Sequence, residues 1–435
     1  MKRFWLLALL MAGSLAMALV SPAFAAKMSS EDGGSDSSDT LEDVNSAIGS
    51  MASHMNDIDK ALHLKVSGDV RLRYAFINQA ASQAGVTIPD SSRGRYRARL
   101  GASIKRGDFT GKFRIATGST ASPWSQNNTF DTGMTNPSIL IDTASITWDP
   151  SFSNGVLSIT AGKMANPLTK TSITWDPDIQ PEGVDVEIKK GDFTLRGTYF
   201  ELQNLFASGT TFGNMDLFMD NVQAEYTVKM DADTSVGLMA GYEYIPNSTL
   251  LMTSGVNTIL GKNPITGFGG VTDPGGPARD WNNVEGMLTF KHKLGDVPMK
   301  WYVHVTDNLN GLNLPDASQT NGHSTKFTNQ YAWLGGVDIG ALKGPGDFAG
   351  TLYMASLDPN CTLPFLVDDD PGETNRQYIF GSLSCLLEDG VTFKLSQWAV
   401  GREYYAGGFG GANNALAGSS QNPELVTYVD CIVNL

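Results

Sequence analysis

Arg93-Gly94-Arg95-Tyr96-Arg97-Ala98-Arg99-Leu100-Gly101-Ala102-Ser103-Ile104-Lys105-Arg106-Gly107-Asp108-Phe109-Thr110-Gly111-Lys112-Phe113-Arg114-Ile115 contains two alternating runs and the turn between them. In the first run Tyr96, Ala98 and Leu100 share one face, and Arg95, Arg97 and Arg99 share the other. In the second, Phe113 and Ile115 oppose Lys112 and Arg114. A strict two-residue period predicts β-strands with one apolar and one wet face. Gly107-Asp108 supplies the positive φ of a tight hairpin turn, so the two strands pair antiparallel. An arginine at a lipid midplane costs about 2–4 kcal/mol. If this hairpin crosses a membrane, its arginine face must therefore point to water.

The turn recurs as Lys189-Lys190-Gly191-Asp192-Phe193, as Lys293-Leu294-Gly295-Asp296-Val297 and as Lys343-Gly344-Pro345-Gly346-Asp347-Phe348. The unequal spacing excludes a fixed-period solenoid. Sixteen strand-like segments follow from the alternation: 64–78, 93–106, 108–118, 138–149, 155–164, 182–190, 192–201, 215–230, 233–246, 281–293, 297–308, 327–341, 347–358, 376–387, 390–404 and 424–435. The connections between them alternate short and long. Seven short turns and eight long loops are what a sixteen-stranded antiparallel outer-membrane β-barrel requires, with both ends of the chain and all short turns on the periplasmic rim. The faces are legible elsewhere too. Val70, Leu72 and Tyr74 oppose Asp69, Arg71 and Arg73, and Trp301, Val303 and Val305 oppose Tyr302 and His304. In the fourth segment Ile139 and Ile141 are out of phase with Ile146 and Trp148, which predicts a bulge. A soluble β-sandwich would also alternate; the length of the strands and loops favours the barrel.

Upstream, residues 1–25 read as a signal peptide, with Lys2 and Arg3, an apolar run from Phe4 to Val20, and Ala23-Phe24-Ala25 as the cleavage site. Residues 26–40 form a disordered acidic Ser/Gly linker. Leu41, Val44, Ile48, Met51, Met55, Ile58 and Leu62 are then spaced 3-4-3-4-3-4, a heptad stripe over 41–63. Three heptads are marginal as an isolated helix, so a parallel coiled coil between protomers, a homotrimer, is expected; a lone helix packed on the barrel is the alternative. With 31 Lys and Arg against 45 Asp and Glu, the net charge is −14, which argues against a nucleic-acid partner. The three cysteines, Cys361, Cys385 and Cys431, are expected to be free, because Cys385 and Cys431 fall two strands apart and Cys361 falls in a loop.

The cationic residues converge. Arg71, Arg73, Arg95, Arg97, Arg99, Lys112 and Arg114 come from three consecutive strands about 5 Å apart, so they form one basic wall, to which Arg196 is added on the same inward-facing logic. An ion-attracting wall in an aqueous pore is one reading; a structural network tied to Asp69 or to loop acids is the other. The third long loop carries Asp176 and Asp178 and ends at Glu182; folded inward, it would set these acids against the wall as a constriction. Asp368-Asp369-Asp370-Pro371-Gly372-Glu373 reads as a solvated loop, with an outer-surface Ca²⁺ site as the alternative. No H-E-x-x-H, C-x-x-C or G-x-S-x-G is present, and Gly344-Pro345-Gly346-Asp347-Phe348-Ala349, formally G-x-G-x-x-A, has no following helix and reads as a turn. Neither an enzyme, a cofactor nor a metal is expected.

Ser67-Gly68-Asp69-Val70-Arg71-Leu72-Arg73-Tyr74 and Arg93 to Gly101 resemble the opening strands of the "putative porin" family of Gram-negative bacteria. So do Gly162-Lys163-Met164 with Asn166-Pro167, Trp175-Asp176 with Pro181-Glu182-Gly183, and Gly344-Pro345-Gly346-Asp347. The resemblance runs over residues 64–435 and implies an outer-membrane channel for small hydrophilic solutes. One departure stands out: such barrels usually end in an aromatic residue, whereas this chain ends Cys431-Ile432-Val433-Asn434-Leu435. The competing function is a structural anchor, with residues 26–62 contacting the cell wall; a soluble adhesin is a third.

Overall fold

The computed structural model describes residues 64–435 except 79–81, 84–85, 88–90, 120–124, 131–135, 204–216, 247–279, 311–329, 359–360, 364–365, 369, 372–373, 375 and 403–423. The expected signal peptide, linker and heptad helix at 1–63 lie outside the described residues. Sixteen long strands run β1 Leu64–Asn78, β2 Ser91–Arg106, β3 Phe109–Gly118, β4 Ser138–Trp148, β5 Leu157–Lys163, β6 Glu182–Lys190, β7 Phe193–Gln203 and β8 Leu217–Lys229. They continue β9 Ser235–Ile245, β10 Trp281–Leu294, β11 Val297–Asn308, β12 Tyr331–Gly340, β13 Phe348–Leu357, β14 Arg376–Glu388, β15 Val391–Arg402 and β16 Glu424–Asn434. Each pairs antiparallel with its neighbour in sequence, and β1 closes on β16 with Asp69 opposite Asn434 and Asn78 opposite Leu425. The expected sixteen-stranded antiparallel barrel is therefore the fold, with strand ends within four residues of those read from alternation.

The turn chemistry is as expected. Gly107, Gly191, Gly295 and Gly346 sit at φ 56°, 63°, 61° and 93°, so all four copies of the K-x-G-D device use the left-handed region that an L side chain resists. In the last copy the Asp347 carboxylate accepts the N–H groups of Lys343 and Gly344, both at 2.8 Å, and these two bonds hold its pKa below the usual value. Because the strands alternate in direction, the short turns share one end of the barrel and the long loops the other. Phe109, Phe193 and Phe348, which complete three of the turn motifs, are 53%, 40% and 59% exposed on the outer face. They belong to an aromatic girdle at the turn end; Tyr74, Tyr199, Tyr242, Tyr331 and Trp333 stand outward near the loop end. Between them the outer face is apolar, with Leu72, Ile146, Leu238, Val303, Leu352 and Leu383 exposed.

The phase slip in β4 is a bulge. Arg114 faces Thr143 and Ile115 faces Ile141, which leaves Asp142 as the additional residue. Ile139 and Ile141 on one side of it, and Ile146 on the other, all remain outward, while Asp142 is buried in the lumen. Cys385, Phe393 and Cys431 lie in one row across β14, β15 and β16, and the three cysteines form no disulfide.

Large apolar residues also fill part of the interior at the loop end. Tyr353, Phe380, Trp398 and Tyr428 form a chain of ring contacts across β13 to β16, with centroids 4.6, 4.5 and 5.1 Å apart. Ile173, Cys361 and Val367, from two of the long loops, pack on it and are fully buried. A second cluster joins Met164, Leu168 and Trp175 to Phe200, Met219, Ile245 and Trp281 on the wall, and to Leu363 and Leu366.

Candidate functional site

The loop of residues 164–181 leaves β5 and enters the barrel. Thr169 N–H donates to Gln223 Oε1 at 2.8 Å, Gln223 Nε2 returns a bond to Thr169 O at 3.1 Å, and Thr169 Oγ1 donates to Glu225 Oε1 at 2.8 Å, all on β8. Lys170 Nζ reaches Glu243 on β9 at 3.1 Å and Glu285 on β10 at 2.5 Å. These three side chains are 4%, 2% and 3% exposed, so this is a buried ion triad rather than a surface pair. Burial works to lower the Lys170 pKa, but Glu243 and Glu285 outweigh it and hold the ammonium above its ordinary value. Thr171 Oγ1 lies 2.7 Å from His304 Nδ1 on β11, and Ser172 Oγ 3.3 Å from the Tyr378 hydroxyl on β14.

A second loop, 358–375, meets the first inside the barrel. Asp176 N–H donates to Leu366 O at 2.6 Å, and Asp368 N–H to Ser172 O at 3.1 Å. Further along the first loop, Asp178 Oδ1 lies 3.7 Å from Arg97 Nη1 on β2. In a sixteen-stranded barrel β9 and β10 stand opposite β1 and β2. The eight Cα–Cα steps from Lys170 to Asp178 have an extended reach of about 26–29 Å. The loop thus crosses the lumen, latched to one wall by Lys170 and touching the opposite wall through Asp178.

On that opposite wall the register places Arg71 across from Arg97, Arg73 from Arg95 and Asp69 from Arg99, and puts Lys112 and Arg114 on the same lumen face. Four of these arginines hold carboxylates. Arg73 grips Asp430 of β16 bidentately, Nε at 2.8 Å and Nη2 at 3.0 Å, and lies 4.0 Å over the Tyr428 ring and 3.7 Å from Asp370. Arg97 and Arg99 share Asp69 at 2.8 and 2.6 Å. Arg114 binds Asp142, the bulge residue, whose other oxygen accepts Gln126 Nε2 at 2.6 Å. Arg71 and Arg95 differ: Arg71 Nη2 donates to Asn127 Oδ1 at 2.7 Å and Arg95 Nη2 to Ser125 Oγ at 2.8 Å. Neither has a carboxylate within ion-pair distance among the described residues. Lys112 is exposed toward the turn end.

The remaining expected site residues fall elsewhere. Arg196 faces the lumen from β7, four strands past β3, and binds Asp185 at 2.9 Å and also Glu187; it is not part of the β1–β3 patch. Asp176 turns back into its own loop, where its Oδ1 accepts Asp178 N–H at 2.8 Å. Glu182 is the first residue of β6 and pairs with Lys163 at 2.9 Å on the rim. Of the three loop acids, Asp178 is the one that meets the arginines. Asp370, expected in a solvated loop, is instead packed inside and accepts the Tyr428 hydroxyl at 2.9 Å. Asp430 had a signal in the sequence, as a carboxylate on the Val426 and Tyr428 face of the last strand; Ser125, Asn127 and Lys170 had none beyond their place in long connections.

Residues 77–233 match the model of a family described as "putative porin". Three of the stretches that carry the family resemblance, at 93–101, 162–167 and 175–183, fall inside that span. No curated protein matches the chain. Among solved structures, the high-pH structure of Pseudomonas putida OprB aligns with a TM-score of 0.53 at 10% identity, over 88% of this chain and 97% of that one. Salmonella typhi OmpF in complex with daunomycin aligns with a TM-score of 0.46 at 10% identity, over 86% of this chain and 97% of that one. At such identity the likeness to OprB speaks to the fold, which is that of a porin barrel.

Proposed function

We propose that this protein is an outer-membrane porin, a passive diffusion channel for small hydrophilic solutes and ions. The observation that carries the reading is the loop that crosses the lumen from Lys170 on β9 and β10 to Asp178 at Arg97. A barrel built only as an anchor gains nothing from a loop spanning its bore, whereas a channel gains an eyelet that narrows it. There the loop backbone narrows the bore beside the arginine patch of β1–β3, and this charged lining favours polar solutes over apolar ones of the same size. In this reading the apolar outer band meets lipid, the long loops face the cell exterior, and residues 41–63 join three protomers.

The test is reconstitution into planar bilayers. Stable steps, in multiples of three for a trimer, are expected. A folded, detergent-purified protein that gives no steps while residues 26–62 bind isolated cell wall would favour the anchor.

A further inference from the structure

Asp220 of β8 is a carboxylate on the outer face of the wall. Met219 and Asn221 on either side of it are buried in the lumen, so Asp220 points the other way, between its register partners Tyr199 on β7 and Tyr244 on β9. It forms no hydrogen bond or ion pair among the described residues. It lies in a groove of about 300 Å³ lined by Asp220, Asn221, Val222, Tyr242 and Tyr244. Both tyrosines are pinned at their tips. The Tyr242 hydroxyl donates to Asn282 Oδ1 at 2.6 Å, and the Tyr244 hydroxyl to Asp280 Oδ2 at 3.0 Å. A ring tied by its hydroxyl keeps its face in place, and the electron-rich face of a tyrosine attracts a cation. A carboxylate beside such rings completes a site for an ammonium group.

The charge around the groove has one sign. Glu201, exposed on the same face of β7, and Asp280 add to Asp220. The described outward residues in the loop-end halves of β7 to β10 include no lysine or arginine, so the described wall does not supply the cation. The depth identifies its carrier. Tyr199 and Tyr242 belong to the loop-end girdle, the level at which lipid headgroups meet water. Toward the middle of the wall, the outward row beneath Val222 and Tyr242 is Ala224, Ala240 and Gly286, a shallow strip where an acyl chain can lie.

We infer that the Asp220 groove is a docking site for a surrounding lipid whose headgroup carries an ammonium group. The ammonium sits on Asp220 between the tyrosine rings, and one chain follows the strip beneath. The site is on the outer wall and does not depend on conduction through the bore. Native mass spectrometry of the detergent-purified full chain, incubated in turn with phosphatidylethanolamine and phosphatidylglycerol of identical acyl chains, reads it. Phosphatidylethanolamine should be retained at least tenfold over phosphatidylglycerol, with or without EDTA. Asp220→Asn should lower that retention at least fivefold, and Tyr331→Leu, a girdle residue on β12, should leave it unchanged. Asp220→Lys provides the groove with its own ammonium and should reverse the preference, a gain of phosphatidylglycerol that misfolding does not mimic. Equal retention of the two lipids by the parent, or a preference unchanged in both Asp220 variants, overturns the site. Retention of phosphatidylglycerol that requires Mg²⁺ and is lost in EDTA overturns it in favour of a divalent ion bridging carboxylate to lipid phosphate. Absence of conductance with the lipid preference intact would overturn the channel and leave the groove standing.

Discussion

Replacing Lys170 with methionine removes the ammonium of a buried triad and leaves Glu243 and Glu285 almost wholly buried, with His304 Nε2 still 3.2 Å from Glu285. Deleting one member of a buried, hydrogen-bonded charge pair typically costs about 3–5 kcal/mol, most of it the penalty of stranding the remaining charge. At about 1.4 kcal/mol per decade, that lowers the docking equilibrium of the loop by roughly two to four decades. The barrel itself is not the element at risk, since its strands pair without the loop. The loop keeps its bonds to Gln223 and Glu225, the contact of Thr171 with His304 and the burial of Ile173 and Trp175. Its open state should therefore be populated intermittently rather than permanently. The assays are limited proteolysis within 164–181, expected to speed up by at least a hundredfold, and single-channel recording, expected to show excursions to a larger conductance. Lys170→Met combined with Glu243→Gln and Glu285→Gln removes all three charges together and should restore most of the protection. The pH dependence has a definite sign. The Lys170 pKa is raised on docking, so its contribution is fully present below the free-lysine value of about 10.4 and fades only above it. Raising the pH from 7 to 9 should not release the loop through this lysine. Unchanged proteolysis and unchanged current noise in Lys170→Met would refute the latch.

Asp69→Asn removes the carboxylate shared by Arg97 and Arg99; under a salt gradient the reversal potential should move toward that of chloride, and no movement would separate the patch from ion selectivity. Deleting Asp142 removes the bulge and leaves Ile139 and Ile141 in unbroken alternation with Ile146 on the outer face; the variant should still reach the heat-resistant folded band on a gel, as should Asp142→Asn, and a failure of the deletion alone would show that the wall needs the bulge. Gly162 has φ 114°, and a Cβ there would stand 2.4 Å from the Ala144 carbonyl oxygen, so Gly162→Ala should lower the unfolding midpoint measured by far-UV circular dichroism. Oxidation should not crosslink Cys385 to Cys431, and both should react with a lipid-soluble maleimide, since Phe393 separates them on the outer face.

The barrel was legible because a strand in such a wall obeys one local rule, and the rule is visible within about ten residues. Tyr96-Arg97-Ala98-Arg99 shows both faces without knowledge of any partner, and Gly107-Asp108 closes a hairpin with its immediate neighbours. Even the bulge at Asp142 was visible as a phase error, though not its location. The charge pairing was not legible in the same way. Arg73 and Asp430 are 357 residues apart in sequence and meet because the last strand returns to the first. Asp370 could not be told from its acidic neighbours by composition; its burial follows from the Tyr428 hydroxyl and Arg73 waiting inside. Alternation puts Arg196 on the lumen face but does not place it beside the β1–β3 patch, because face follows from alternation while position follows from strand count. The Phe of the turn motif carries a signal of its own: three times it stands immediately after the turn, where an interfacial ring belongs.

The meeting of the two inward loops sets an order on biogenesis. The apolar cluster that receives them is assembled from rings on β13, β14, β15 and β16, and the hydrogen bonds from Asp176 to Leu366 and from Asp368 to Ser172 join segments nearly two hundred residues apart. That surface is complete only once the last strand has paired, and the contact of Asp178 with Arg97 lies on the wall that the last strand closes. The wall must therefore be sewn shut while its bore is still open, and the eyelet condenses afterwards as a late, separately melting unit. Amide exchange pulsed during refolding should protect β1 against β16 before it protects residues 164–181. A stalled assembly intermediate would then be a wide, unselective hole, and the seam between the first and last strands guards the membrane as much as the eyelet does.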